Sequence, residues 1–454
     1  MSAVIRGMGN FFTRIVQRYL PDAFIFCLLL TLVAMLGGIF IAGKGPLEVA
    51  KFWGNGFWGM LTFSMQSSMA MMTGYALSAS PLFRRGLAKV AALPKNFAQA
   101  AVLASLSSLL LWYFHWGVGC VATGLLCREI TRQMARKGVK IHYPLLVAGS
   151  YFGTAVWHNG ISGASQLLLA TKGHFLEKLV GVIPVSETLF APGNLFIVVG
   201  LFIVIPIVTY FMVPEEKDFK EAPPSLIKMM EEEAAAEQRS GLISSKTFAD
   251  ALNNSVIISA AVAIIGLIFL YFWFAKWNGA FDLNIFIVIM LVAGIIFHYR
   301  PSSYFNAMKE GVRAAAPIFL QFQFYGGIMG IMVASGLVAI IANWFVSFST
   351  PFTYPWFTYL GAGLVNLFVP SGGGQWTVQG EIVMRAAKDL GVSLPQAVTA
   401  FACGDEWTNL IQPFWALPLL GFAGLGIRDI MGYAAVIFVF SFIVMSIGIL
   451  FIPW

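Results

Sequence analysis

The sequence predicts an all-α polytopic membrane protein with two inverted-topology repeats and helices that are discontinuous at the bilayer midplane. Three observations carry this prediction: an apolar composition, long runs without charge, and two sets of helix breaks in the same order. Of 454 residues, 58% are hydrophobic and 11% are charged, and the mean hydropathy is +0.79. Soluble domains carry about 25% charged residues. Most of the surface must therefore face lipid.

Five charge-free runs reach the roughly 20 residues that a helix needs to cross the hydrocarbon core. They are Ala23–Ala42, Phe57–Ser80, Gly193–Val213, Ser255–Ala275 and Tyr433–Trp454. Basic residues gather at the ends of such runs, so the net charge of +7 follows the positive-inside rule and does not indicate nucleic-acid binding. The four cysteines fall inside apolar runs and are interpreted as small hydrophobic residues.

The basic amino terminus predicts a cytoplasmic start in a bacterial inner membrane, with multiple passes after it. Basic clusters at 84–95 and 128–140 both favour the cytoplasm, yet only the apolar stretch 97–127 separates them. One crossing would put the clusters on opposite sides, and two crossings need about 40 residues. The stretch 97–127 is therefore predicted to be a re-entrant hairpin with its tip near 115–119.

The same features recur in the second half of the chain. The stretch 56–82 resembles 311–337 at a constant offset, a glycine-rich tip follows each, and a polar break follows each tip. One additional span between the halves reverses the second, which is the sequence signature of inverted repeats. The predicted segments are a first repeat 1–213 (hairpin 97–127, broken helix 143–171), a cytoplasmic linker 214–254, a linking transmembrane helix 255–275, and a second repeat 276–454 (hairpin 355–390, broken helix 394–425). This gives about nine transmembrane helices plus two re-entrant hairpins.

Polar residues at these tips and breaks are the candidates for substrate binding. Unwound backbone and helix starts at the midplane offer free N–H groups, which suit a carboxylate. No Lys or Arg lies in either tip or break, which predicts a ligand with a single negative charge and a small apolar body. The candidates are Trp116, Asn159, Ser162, Ser165, Ser371, Gln375, Thr408, Asn409 and Gln412. Helix packing through small residues and interhelical hydrogen bonds are the alternative interpretations.

Asp405 and Glu406 are the only acids between Leu390 and Ile427, and an acid inside a membrane is a functional hypothesis by default. Neighbours on a helix point about 100° apart, so one acid, Asp405, is expected to face the site. Two forms of coupling remain open: Na⁺ held by Asp405 and backbone carbonyls, or a proton carried by Asp405. The coupling-ion candidates are Gly117, Gly119, Asn159, Gly160, Gly372, Gly373, Asp405 and Asn409.

The sequence does not predict an enzyme. It has no phosphate-binding G-x-x-x-x-G-K-[ST] loop and no clustered nucleophile and base, and no cofactor is expected apart from Na⁺ as coupling ion. A membrane-embedded enzyme and a channel are the alternatives outside the transporter class. Carriage of another organic anion and cation/proton antiport are the alternatives within it.

The chain resembles the short-chain fatty acid transporter family, grouped with the ion transporter superfamily. The resemblance is carried by Tyr19–Asp22, Trp53–Trp58, Pro370–Gly374, Gln412–Pro418 and Gly426–Tyr433. It implies cation-coupled symport of butyrate, acetoacetate or similar monocarboxylates by an elevator mechanism. The expected partners are the carboxylate and the lipid bilayer, with no nucleic acid, and a homodimer is left open.

Overall fold

The computed structural model describes residues 2–19, 23–59, 61–170, 172–174, 176–224, 226–228, 247–277, 279, 283–370 and 372–454. Throughout these ranges the regular structure is helical and contains no strand, which confirms the all-α prediction for the described part of the chain. Two predicted features lie outside the described residues: Ser371 and the middle of the linker, 229–246.

Eleven helices precede the linker: α1 Ser2–Tyr19, α2 Ala23–Phe40, α3 Pro46–Gly59, α4 Leu61–Ala79, α5 Pro81–Ala91, α6 Phe97–Phe114, α7 Trp116–Arg136, α8 Tyr143–Tyr151, α9 Ala164–Leu169, α10 Glu177–Val180 and α11 Pro192–Met212. Ten are described after it: α12 Phe248–Asn253, α13 Val256–Ala275, α14 Leu283–His298, α15 Pro301–Ala334, α16 Leu337–Ser347, α17 Tyr354–Asn366, α18 Gly372–Asp389, α19 Leu394–Asn409, α20 Leu417–Ala423 and α21 Ile427–Phe451. Short 3₁₀ turns at Phe152–Ala155 and Phe414–Ala416 follow α8 and precede α20.

Four described helical segments are long and apolar enough to cross a membrane, by length and composition. They are Phe97–Phe114, Pro192–Met212, Phe248–Ala275 and Ile427–Phe451. A fifth candidate is the pair Phe322–Ala334 and Leu337–Ser347, which is bent by 64°. Only 11% of the most apolar window of the third segment is buried, so α13 lies at the periphery of the molecule.

Helices α6 and α7 pack against each other and meet at His115, the predicted hairpin tip. His115 is extended and its Nδ1 accepts a hydrogen bond from the N–H of Gly117 at 3.0 Å, which caps the start of α7. At the opposite end of this helix pair, where α6 begins and α7 ends, Lys137 Nζ donates to the carbonyls of Ala92 and Pro94 at 2.5 and 2.7 Å. The chain therefore leaves α7 beside the point where it enters α6.

His142 of the first half contacts both the start of the linker and the second half of the chain. His142 precedes α8, accepts at Nδ1 from the Lys220 N–H at 3.1 Å, and pairs through Nε2 with the Tyr433 hydroxyl at 2.7 Å. Burial lowers the pKa of His142 to about 4, so the ring is neutral at pH 7 and Nε2 is the nitrogen that carries the proton.

Glycines allow the closest helix crossings. Gly56 of α3 lies against the backbone of Gly326 and Gly330 in α15, and any side chain at Gly56 would overlap those atoms. Gly404 of α19 lies in the same way against the Tyr359 carbonyl of α17. Small residues permit this backbone approach, which is the usual basis of helix association in lipid.

Both predicted broken helices are discontinuous. After α8 and its 3₁₀ turn, residues 156–163 are not helical, and α9 begins at Ala164. After α19, residues 410–413 are not helical, and the chain turns through a 3₁₀ segment into α20. Backbone polar groups at such breaks must find partners inside the protein if the region lies in hydrocarbon.

Labelling tests the hairpin. Val90→Cys and Arg136→Cys lie near its two ends, both positions are exposed, and the four native cysteines are buried. We expect a membrane-impermeant maleimide to label both variants from the same side, because Lys137 joins the two ends. The measurement compares right-side-out with inverted vesicles. Labelling from opposite sides would mean that residues 97–127 cross the membrane once.

Candidate functional site

Glu406 joins the two halves of the chain at the centre of the molecule. It lies on α19, is fully buried, and accepts a hydrogen bond from the backbone N–H of His158 at 2.5 Å. It also accepts from the side-chain amide of Asn159. The other amide atom of Asn159, Oδ1, accepts from the Cys403 thiol at 3.3 Å, one turn earlier on α19. One helix of the second half therefore holds the first break in place.

Asp405 contacts the same break through the His158 ring. His158 Nε2 lies 2.8 Å from Asp405 Oδ2, and both side chains are 1% exposed. The distance is that of an ion pair, but the two atoms are not aligned as a hydrogen bond, and neither finds another hydrogen-bond partner among the described residues. Gly372, the first residue of α18, lies against this ring, and a Cβ there would overlap it. Helices α18 and α19 and the first break therefore meet at His158.

A single acid was expected to face the site, but both acids contact the first break, and which of them faces the substrate stays a prediction. Asp405 contacts the ring of His158, whereas Glu406 contacts the backbone N–H of the same residue. His158 lies in the first break, which is not helical. The ring of His158 and its backbone N–H therefore reach different positions along α19. Two adjacent acids can then both reach it, although their side chains leave the helix about 100° apart.

Other buried side chains bond the carbonyls of the first break. Asn194 at the start of α11 donates to the Asn159 carbonyl at 3.0 Å. Gln166 of α9 donates to the His158 carbonyl at 2.9 Å. A buried carbonyl without a partner costs about 1–3 kcal/mol, so these two amides stabilise the unwound backbone.

The second break is bonded across the halves as well. The Tyr151 hydroxyl, at the end of α8, donates to the Asn409 carbonyl at 2.5 Å. Asn366 at the end of α17 donates to Thr408 Oγ1 at 2.9 Å and to Asn409 Oδ1 at 2.7 Å. Asn409 Nδ2 is buried and finds no hydrogen-bond partner within the described ranges. It is a donor available to a ligand.

The other predicted polar residues are placed as follows. Ser165 donates to the neighbouring glutamine at 3.0 Å, and the Ser162 hydroxyl is buried without a described partner. Gln375 donates at 2.8 Å to a carbonyl of α17 and to a glutamine one turn along α18. Gln412 donates to a tyrosine hydroxyl of α15 at 3.1 Å. Ser371 lies outside the described residues, so its substrate contact stays a prediction.

The predicted glycine tips prove to be helix starts. Gly117 and Gly119 lie in the first turn of α7, and Gly372 and Gly373 in the first turn of α18. Carbonyls in a first turn accept the helix's own hydrogen bonds, and the role of these four residues in holding a coupling ion stays a prediction. Gly160 is not helical and packs on the end of α6, against the Tyr113 carbonyl.

Three amide partners of the breaks were not predicted: Asn194, Gln166 and Asn366. Each is an isolated amide in an apolar helix or at its end, and that was the one signal available in the sequence. Nothing local to such an amide says which distant carbonyl or side chain it will meet. Within the described part of the chain, no group of three or more His, Cys, Asp or Glu is placed to hold a metal ion.

The chain matches one sequence family and two known proteins over nearly its whole length. The sequence profile of the family described as short chain fatty acid transporter matches residues 4–452. A protein of Escherichia coli (strain K12), whose name places it among short-chain fatty acid transporters, is 36% identical over 446 residues, covering 98% of this chain and 99% of that protein. A Haemophilus influenzae protein of the same name is 35% identical over 463 residues, covering 99% and 100%.

Two solved structures are similar at low identity. The antimetabolite efflux pump MtrF of Neisseria gonorrhoeae has a TM-score of 0.44 at 16% identity, over 96% of this chain and 97% of that one. The YdaH transporter of Alcanivorax borkumensis has a TM-score of 0.42 at 14% identity, over 94% and 98%.

The bonds of Glu406 predict a stability effect. In Glu406→Gln, one acceptor oxygen becomes an NH₂ group that meets a donor, and we expect a loss of about 1–3 kcal/mol. The measurement is thermal unfolding of the detergent-solubilised protein. Glu310→Gln is the control, because the Glu310 side chain is 45% exposed and pairs with Arg313 near the surface, where such pairs contribute about 0–1 kcal/mol. Equal melting temperatures for the two variants would contradict the role assigned to Glu406.

Proposed function

The chain belongs to the short-chain fatty acid transporter family, and we propose that it takes up butyrate, acetoacetate or a similar monocarboxylate together with a cation. The family membership supports a transport function. The buried polar centre is the proposed binding site for the substrate. The polar centre consists of His158, Asn159, Asp405, Glu406 and Asn409.

One observation carries the proposal: buried polar atoms from both halves meet at this centre, and some of them have no partner. Asn409 Nδ2 is a free donor and Asp405 Oδ1 a free acceptor among the described residues. Leaving such groups unpaired costs about 1–3 kcal/mol each, a cost that a bound anion and a bound cation would remove. In the described contacts of the centre no Lys or Arg takes part. A ligand with one negative charge fits such a site better than a dicarboxylate does.

The proposed topology follows the predicted repeats. The amino terminus is cytoplasmic, about nine helices cross the bacterial inner membrane, and two hairpins are re-entrant. The contact of Lys137, at the end of α7, with Ala92, just before α6, and the bonds between the two halves at their breaks support this arrangement. Inverted repeats with broken helices at the midplane are typical of alternating access, here by an elevator movement.

Uptake against the membrane potential needs a cotransported cation. Moving one negative charge into a negative-inside cell costs about 2.3 kcal/mol per 100 mV. We propose Na⁺, bound by Asp405 and by carbonyls of the non-helical breaks. The supporting observation is that neither oxygen of Asp405 has a hydrogen-bond partner among the described residues. A proton on Asp405 is the second candidate, which the 2.8 Å contact with His158 favours.

The substrate class is tested by uptake into proteoliposomes that contain the purified protein. We expect uptake of butyrate and acetoacetate from a panel of C2–C6 monocarboxylates. Succinate and citrate should be excluded, because a second carboxylate would enter a site with no Lys or Arg. Protein-free liposomes are the control for passive entry of the protonated acids. Transport of succinate at the rate of butyrate would contradict the charge argument.

The coupling role is tested with Asp405→Asn. We expect this variant to lose accumulation against a gradient while it retains exchange of labelled for unlabelled butyrate, because it can bind substrate but no longer gains the cation. The measurement compares both activities under imposed Na⁺ and pH gradients, which also identifies the ion. If the variant still concentrates substrate with the wild-type ion dependence, Asp405 has no part in coupling.

A further inference from the structure

Three indole rings meet beside the polar centre. Trp116 begins α7, Trp157 lies in the first break, and Trp415 lies in the 3₁₀ turn after the second break. The ring centroids of Trp157 and Trp415 are 4.7 Å apart, those of Trp116 and Trp415 are 5.3 Å apart, and those of Trp116 and Trp157 are 6.0 Å apart. We call these three residues the tryptophan cluster. It brings together one tip and both breaks.

The cluster adjoins the residue on which the polar centre converges. The Trp157 ring lies 4.2 Å, centroid to centroid, from the ring of His158. His158 in turn contacts Asp405, Glu406 and the start of α18. An apolar wall and a set of unpaired polar groups are therefore adjacent. This pairing matches a molecule with one polar end and a short apolar body.

Two members of the cluster also carry buried polar groups. Trp157 is 5% and Trp415 is 2% exposed, and the indole N–H of each lacks a hydrogen-bond partner in the described part of the chain. A buried indole usually finds a partner for this group. A carboxylate at the polar centre would offer such an acceptor while its alkyl chain lies against the rings.

Resting on the function proposed above, we propose that Trp157 and Trp415 form the acyl-chain subsite and limit the length of the monocarboxylate that is carried. The rings are in direct contact at the distances typical of aromatic pairs, so a chain that extends from the polar centre towards them stops at their faces. A C6 or C8 acid would have to separate the rings.

The test removes one ring at a time and measures selectivity. Trp157→Ala and Trp415→Ala should each raise the ratio of octanoate to butyrate uptake in proteoliposomes by about tenfold or more, since even one methylene in a hydrophobic pocket changes discrimination by roughly 10–200-fold. Butyrate uptake should fall, because its own contact with the wall is lost. Trp157→Phe and Trp415→Phe should shift the ratio in the same direction but by a smaller factor. They replace the alanine variants in the measurement if an alanine variant does not fold.

The matched control is Trp53→Ala. Trp53 also packs among aromatic rings, with Phe57 at 5.2 Å and Phe324 at 6.1 Å, and its buried N–H is unpaired as well. Trp53 lies on α3 and packs on Phe324 of α15, and no described ring contact joins it to the tryptophan cluster, so the octanoate-to-butyrate ratio should stay at the wild-type value. Equal loss of all acids in the Trp157 and Trp415 variants, with an unchanged ratio, would overturn the proposal and make the cluster purely structural. Failure of the proposed function is a distinct result, namely no carboxylate uptake by the wild-type protein.

Discussion

The bond between Glu406 and the first break is the interaction on which the rest of the site depends. The backbone of residues 156–163 is not helical. Turn hydrogen bonds satisfy the N–H groups of Gly160 and Gly163 within the break, but the N–H of His158 needs a partner from elsewhere to satisfy it. In a bilayer no water is present to do so. Glu406 accepts from the N–H of His158 and from the side chain of Asn159. A carboxyl group buried on α19 is costly by itself, and an unpaired break is costly by itself, and each offsets the cost of the other.

This mutual stabilisation explains why α19 of the second half packs against the break of the first half. Four other side chains stabilise the breaks in the same way, because each bonds a break to a different helix. They are Asn194, Gln166, Tyr151 and Asn366. Most of these groups are satisfied, which gives a rigid framework. Among the buried atoms without a hydrogen-bond partner in the described residues are Asn409 Nδ2 and the oxygens of Asp405, which lie within this framework. A site built in this way has its free polar groups held in place by neighbours that are already bonded.

The tryptophan cluster gives the polar centre an apolar counterpart. Ligand sites commonly combine hydrophobic walls with a few placed polar groups, and a short-chain carboxylate has that same division. Because the rings come from α7 and from both breaks, a movement of one half against the other would change the ring contacts and the polar contacts together. Selection of the acyl chain and alternating access would then use the same residues.

The sequence by itself determined the all-α class, three apolar helices long enough to cross a membrane among the described residues and the location of both breaks. These depend on composition and on local backbone preference: Gly and Asn near 159–163 and Pro413 disfavour a continuous helix wherever they occur. The glycines at 372 and 373 show the limit of such reasoning, since they open α18 instead of interrupting it. Free N–H groups and close approach to the His158 ring suit glycine at a helix start.

Only the tertiary structure decided which polar groups meet. Helix geometry placed Asp405 and Glu406 on different sides of α19, and from this a single acid was expected at the site. The fold brings a ring to one acid and a backbone N–H to the other, both from residue 158. The partners are separated by 247 and 248 positions along the chain. No local pattern encodes a contact over that distance, because it arises from the packing of one half against the other.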